Sequence, residues 1–160
     1  MAGAGVVSRY MEDHDLKQLA HEILREGFLM SLGTTDDEGV WVSDVIYVHD
    51  EDLCIYWVSL PSARHSQAIG AGSRVACTIT SSHVLGKERA LQIAGTAEPL
   101  EGSRLELEQM LEAKRGKEVP QVAGEILSRG HVWYVLKPDT TKLIDSDKFG
   151  YERKTIEIML

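Results

Sequence analysis

Residues 55–79 read Ile-Tyr-Trp-Val-Ser-Leu-Pro-Ser-Ala-Arg-His-Ser-Gln-Ala-Ile-Gly-Ala-Gly-Ser-Arg-Val-Ala-Cys-Thr-Ile. A strand pattern rich in aromatic residues is followed by a short polar segment. Two glycines separate that segment from a second, apolar strand pattern. The polar segment, residues 59–66, concentrates hydroxyl, guanidinium and imidazole side chains between two apolar runs. It is therefore the strongest candidate in the sequence for a functional site.

The polar segment has the composition of an anion-binding helix start. We expect a helix that is capped by Ser62 and ends at Gly70 after about two turns. Free backbone N–H groups at such a start attract anions, and Arg64 would grip a phosphate with two parallel hydrogen bonds. Three hydroxyls and an imidazole would add neutral donors: Ser59, Ser62, Ser66 and His65. Serines also cap helices that bind nothing, so spacing alone leaves both interpretations open.

The neighbouring strands offer apolar walls. Val45 and Val58, with Tyr56 and Trp57 nearby, would line a slot for a flat ring system, which needs apolar walls and backbone hydrogen bonds at its edge. Valine and tryptophan in strands are also ordinary core residues of a barrel. This pattern, too, leaves a binding site and a plain core as alternatives.

The rest of the chain alternates strand patterns with tight turns instead of crossover helices. Strands are predicted over residues 28–34, 40–49, 53–59, 74–81, 88–100, 131–137, 142–145 and 154–159, and helices over 13–26, 103–115 and 119–128. Short connections favour antiparallel pairing. The sequence therefore predicts a single mainly β domain over residues 1–160, with a closed antiparallel barrel at about 28–145 and peripheral helices. Gly95, inside a predicted strand, indicates a bulge or a close approach by another backbone.

Composition limits the classes of function. A net charge of −8 argues against a nucleic-acid groove, and no apolar run approaches the roughly 20 residues that cross a bilayer. The N-terminus lacks the basic start and apolar core of a signal peptide. Cys54 and Cys77 lie in apolar strand patterns typical of buried free thiols. We therefore expect a soluble cytoplasmic protein.

No motif identifies a catalytic residue or a metal site. The sequence has no Gly-x-Ser-x-Gly elbow, no Cys–His signature and no HExxH motif. The acidic residues 36–38 lack the alternating spacing of a calcium loop, so they predict a solvated turn.

The order and spacing of these segments resemble the FMN-binding split-barrel proteins, the superfamily of pyridoxamine 5′-phosphate oxidase. The likeness extends over residues 29–158. It is carried by the strand at 55–59, the following Ser62-Ala-Arg-His65, the strand at 74–79 and the glycine-centred strand at 91–98.

The resemblance implies a six-stranded Greek-key split barrel that forms a homodimer, with FMN at the subunit interface. Arg64 and His65 would bind the phosphate with help from Ser59. The flavin ring would lie along the strand from Ser43 to Tyr47, within reach of a partner-chain strand around Gln92. In the oxidase a lysine stands at the position of His65, and its arginine–histidine substrate signature has no match in residues 146–160.

The implied function is that of an FMN-dependent oxidoreductase with a small-molecule substrate. In such proteins the flavin carries the electrons while the protein supplies orientation and electrostatics. The alternative is a non-catalytic module on the same fold that carries FMN, haem or a deazaflavin. The sequence identifies neither the substrate nor the electron donor.

Overall fold

A computed structural model describes residues 4–70 and 72–156, with side chains from residue 15 onward. Within these residues the strands are β1 (Leu29–Asp36), β2 (Gly39–Ile46), β3 (Val48–His49), β4 (Ile55–Ser59), β5 (Ser73–Ser82), β6 (Arg89–Leu100), β7 (Val132–Asp145) and β8 (Arg153–Ile156). The helices are α1 (Ala4–Glu26), α2 (Arg64–Ile69), α3 (Leu105–Lys114) and α4 (Ser146–Phe149), and residues Ile126–Arg129 form a 3₁₀ turn.

The strands form one antiparallel sheet in the order β2-β1-β5-β6-β7-β4-β3, and β8 pairs with the far end of β7. Only Tyr47 separates β2 from β3, which lie at opposite edges of this order. Because one bent strand supplies both edges, the sheet has to curl into a barrel. With β2 and β3 counted as one strand, the barrel has six strands, and β8 is an addition. The predicted antiparallel split barrel with peripheral helices is confirmed.

Two apolar clusters lie on the two sides of the curled sheet. The larger cluster fills the barrel and includes the fully buried Trp57 and Ile79, together with Ile23 and Leu24 of α1. The smaller cluster lies between α3 and the outer face of the sheet, and includes Val48, Leu107, Leu111 and Trp133. Burial of these side chains supplies the main stabilisation of both layers.

One predicted helix is wrong. Residues 119–128 form a loop that ends in the 3₁₀ turn Ile126–Arg129. Pro120 and Gly124 are poor helix residues. Instead of a helical bond, the Gly124 N–H donates to both carboxylate oxygens of the buried Glu108, at 2.9 and 3.0 Å. The loop is therefore fastened to α3 by a buried carboxylate.

Other boundaries moved by smaller amounts. The predicted strands 131–137 and 142–145 are one continuous strand, β7, and the predicted strand 40–49 is divided at Tyr47 into β2 and β3. Helix α1 begins at Ala4, earlier than the predicted residue 13. The last strand is described over Arg153–Ile156, and residues 157–159 of its predicted range lie outside the described residues. None of the described helices is long and apolar enough to span a bilayer.

Candidate functional site

Helix α2 lies against the sheet and carries the predicted phosphate ligands. The fully buried Ile69 anchors the helix, and Gly70 ends it with φ 50°. The predicted cap was wrong: the N-cap residue is Ala63, which has no side-chain hydrogen bond. A turn in which the Ala63 N–H donates to the Leu60 carbonyl oxygen at 3.0 Å places the N-cap one residue beyond Ser62, and the helix starts at Arg64.

Arg64, in the first turn of α2, is held by a carboxylate at the end of β1. Its Nε and Nη2 donate to the two oxygens of Asp36 at 2.7 and 3.0 Å. Glu38 lies 3.6 Å from the same guanidinium, whose carbon sits 4.6 Å from the ring centroid of Trp41. The hydrogen bonds from Arg64 lower the pKa of Asp36 below its ordinary value. The predicted phosphate-binding fork is thus engaged by a carboxylate of the chain itself.

Ser59 and His65 meet beside this pair. The Oγ of Ser59, at the buried end of β4, lies 2.8 Å from Nε2 of His65. Burial lowers the pKa of His65, so the imidazole is neutral at pH 7. The hydroxyl of Ser66 is buried and has no hydrogen-bond partner among the described residues. A buried hydroxyl without a partner is costly unless something bonds to it.

The remaining predicted residues lie in three environments. Ser43 accepts a hydrogen bond from Trp41 Nε1 at 2.9 Å and so joins the group around Arg64. Val45 is partly buried and packs against the barrel interior. Val58 belongs to the smaller cluster beneath α3. Because neighbouring residues of a strand point to opposite faces, Val58 lies across the sheet from Ser59.

Gln92 lines an open groove on the outer face of the sheet. The groove has a volume of about 400 Å³ and is lined mainly by small and apolar side chains of β1, β2, β5 and β6, including Gly33, Val42, Ala76, Thr78 and Ala94. Strand β2 contributes residues both to the groove and to the group around Arg64. Val42 lines the groove, while the adjacent Trp41 and Ser43 contact that group. Because neighbouring residues of a strand point to opposite faces, the groove and the group around Arg64 lie on opposite faces of β2. A ligand that reached both regions would have to pass around the edge of this strand.

Two residues of this site were not predicted from the sequence. Asp36 was interpreted as part of a solvated turn, and Trp41 was assigned no role. Asp36 is 28 positions from Arg64, and only the β1–β2 hairpin brings its carboxylate to α2. No local sequence signal marks such a pair.

The cysteines are poor nucleophiles. Burial raises the pKa of Cys54 to about 11 and that of Cys77 to about 12. Because the thiolate is the reactive form, both groups are inert near pH 7. Within the described part of the chain, no three His, Cys, Asp or Glu side chains are placed to hold a metal ion.

Comparison with known proteins identifies the fold. No family model and no curated protein matches the sequence. Among solved structures, Campylobacter jejuni ChuZ has a TM-score of 0.67 at 16% identity over 90% of this chain and 60% of that one. A haem-binding protein of Mycobacterium smegmatis has a TM-score of 0.59 at 19% identity, over 87% of this chain and 56% of that one. The chain thus spans under two thirds of both proteins.

A pyridoxamine 5′-phosphate oxidase-like protein from Listeria innocua matches over its whole length. It has a TM-score of 0.62 at 16% identity, over 81% of this chain and 98% of that one. These similarities show that the chain shares the split-barrel fold of these proteins. The resemblance predicted from the sequence is confirmed at the level of the fold, which hosts different functions in different proteins.

Proposed function

We propose that this chain is an FMN-binding flavoprotein that acts as an oxidoreductase on a small-molecule substrate. The observation that carries the proposal is the donor set around α2. It consists of the forked cation of Arg64, the neutral Ser59–His65 pair and the unpartnered hydroxyl of Ser66. An apolar groove that suits a flat ring lies on the other face of β2.

The donor set fits a phosphate monoester. Arg64 already binds a planar oxyanion in the two-pronged manner that it would use for phosphate. His65 is neutral and would supply a hydrogen bond without charge, so Arg64 would provide the main electrostatic attraction. Ser66 would gain the partner that its hydroxyl lacks.

A second copy of the chain would complete the site. Val40 and Val42 are 77% and 59% exposed on one face of β2, beside the groove that contains Gln92. In a homodimer this face would be covered, and a ring lying along β2 would be shielded from water. Bound FMN would supply the electron-transfer chemistry, while the residues of this chain bind, orient and shield it.

Replacing Arg64 tests the phosphate assignment. We expect Arg64→Ala to weaken FMN binding by about 10- to 150-fold, the scale of a hydrogen-bonded charge, as measured by calorimetric titration. Arg115→Ala is the matched control, because Arg115 is a similarly exposed arginine paired with Glu112 at 2.7 Å beneath the opposite face of the sheet. Arg64→Ala binding FMN as tightly as the parent would show that the assignment is wrong.

The absorption spectrum of the purified protein separates FMN from haem. The Mycobacterium smegmatis neighbour is a haem-binding protein. In the part of this chain that the structure describes, no histidine lines the groove, so haem there would lack an imidazole from these residues. We expect flavin bands that stay with the protein after FMN has been added and the unbound FMN removed by gel filtration. A Soret band from tightly bound haem, with no FMN binding, would overturn the proposal in favour of a haem carrier.

A further inference from the structure

Asp36 forms an ion pair with Arg64, the residue that is proposed to bind the phosphate. We propose that Asp36 is an internal competitor for Arg64, displaced by the phosphate of the cofactor, and that this competition keeps the flavin exchangeable. The inference rests on the proposed function and concerns the same site. It assigns to one acidic residue the control of affinity for phosphorylated ligands.

The competing ion pair is well formed. Both oxygens of Asp36 accept hydrogen bonds from Arg64, at 2.7 and 3.0 Å, and the two side chains are only 24% and 31% exposed. A phosphate that binds Arg64 in the same way has to break both bonds. The free energy gained from the contact between Arg64 and phosphate is therefore offset by the loss of the contact between Arg64 and Asp36. The net affinity for the phosphate is lower as a result.

The carboxylate is fixed in place by its own turn. Asp36 pairs with Gly39 at the tip of the β1–β2 hairpin, and Gly39 adopts φ 111°, which favours glycine. One oxygen of Asp36 also accepts the Glu38 N–H at 2.9 Å. Since the turn holds Asp36 toward α2, competition does not require a conformational change in the free protein.

Arg64 would keep its orientation after the exchange. Its guanidinium lies over the indole of Trp41, 4.6 Å from the ring centroid, and this contact does not involve Asp36. Trp41 is in turn tied to Ser43 by its Nε1–H. The cation therefore stays positioned while its anionic partner changes from carboxylate to phosphate.

Glu38 provides an internal comparison. It lies 3.6 Å from Arg64, but its side chain is 80% exposed and makes no two-pronged contact. Solvent screens such a charge strongly. The competition is therefore assigned to Asp36, and Glu38 should contribute little.

The test compares FMN with riboflavin, which has the same ring system but no phosphate. Titration calorimetry is carried out on the parent, Asp36→Asn and Glu38→Gln. The asparagine keeps an oxygen for the Glu38 N–H while removing the charge. We expect Asp36→Asn to bind FMN about tenfold more tightly, the effect of removing one competing charged contact, with riboflavin affinity unchanged. Glu38→Gln should change FMN affinity by less than about threefold.

The outcomes separate the inference from the proposed function. Equal FMN affinity in the parent and Asp36→Asn would overturn the competition while leaving FMN binding intact. An equal gain for riboflavin would overturn it as well, because the effect would not depend on the phosphate. If none of the proteins binds either flavin, the proposed function itself fails. An equal gain from Glu38→Gln would show a general charge effect instead of a role for Asp36.

Discussion

Lys114 holds the bend at which the barrel closes. Its Nζ donates to the Tyr47 carbonyl oxygen at 2.9 Å and lies 3.5 Å from the centroid of the Tyr47 ring. Tyr47 is the residue between β2 and β3, and its own hydroxyl donates to the Leu24 carbonyl oxygen at 2.8 Å. Burial lowers the pKa of Lys114 to about 8. The ammonium group of Lys114 is thus partly buried at a cost in free energy. In that position it donates to the backbone carbonyl oxygen at the bend.

This burial predicts that stability rises with pH above about 8. Between pH 8 and 10.5 the unfolded chain keeps a proton on Lys114 while the folded chain releases it, so the unfolded state binds more protons and the free energy of unfolding increases. Relative to Lys114→Met, we expect the parent to gain on the order of 1 kcal/mol between about pH 7 and pH 9.5, after allowance for solvent screening. Urea unfolding of the parent and of Lys114→Met at the two pH values measures this gain in the free energy of unfolding. If the free energy of unfolding of both proteins changed equally with pH, Lys114 would not be the cause of the pH dependence.

The structure brings together those predicted site residues that are close along the chain. Ser59, Arg64 and His65 fall within one short segment, and the structure places them at the start of α2. Asp36 and Lys114 are 28 and 67 positions from the groups they bind. Their roles depend on strand pairing and helix packing, which no local pattern of residue types encodes.

At the level of elements, Gly95 and Pro138 lie together at a β-bulge between β6 and β7. Gly95 pairs with Pro138, whereas Ala94 pairs with Thr140, so Asp139 is left as the extra residue of a bulge. Proline lacks an N–H, and a bulge is one of the few places where a strand tolerates it. The bulge or close approach predicted at Gly95 is confirmed, because a Cβ there would overlap the Lys137 carbonyl oxygen.

Gly95→Ala should therefore separate β6 from β7 locally. We expect a loss of about 3 kcal/mol in the free energy of unfolding, since the added methyl group meets backbone that cannot rotate away. Gly33→Ala is the matched control: its Cβ would lie 3.3 Å from the Ala76 carbonyl oxygen, and its cost should be below about 1 kcal/mol. Thermal or urea unfolding of both variants gives the comparison. Equal costs would show that the close approach at Gly95 does not limit stability.

The predicted strands were more reliable than the predicted helices. Alternating apolar positions mark the strands because each one faces a packed interior on one side. The segment 119–128 showed apolar residues at suggestive spacing, yet Pro120 and Gly124 prevent a helix and Glu108 fixes the loop instead. A buried carboxylate that replaces helical hydrogen bonds is a tertiary interaction, and the spacing of apolar residues does not reveal it.

At the scale of the whole molecule, closure follows from one bend. The antiparallel pairing could be predicted from short connections and agrees with the structure, whereas the number of strands agrees only because two predicted strands merge into β7 and one divides into β2 and β3. That β2 and β3 lie at opposite edges of the sheet order could not be predicted, because the pattern at residues 40–49 is that of one straight strand. The bend leaves the outer face of β2 open beside the groove, where the proposed second copy would pack.

A charge on the outer face of β2 would disrupt the proposed dimer. Val42 is 59% exposed in the groove, so Val42→Lys would place a charge at the centre of the proposed interface. We expect the parent to be a dimer by light scattering, and Val42→Lys to be a monomer that binds FMN at least tenfold more weakly, since burying one unpaired charge costs more than 1.4 kcal/mol. Val122→Lys is the control, because Val122 is 66% exposed on the loop that follows α3. A parent protein that is monomeric while it retains bound flavin would overturn the interface model, because the cofactor would then need only one chain.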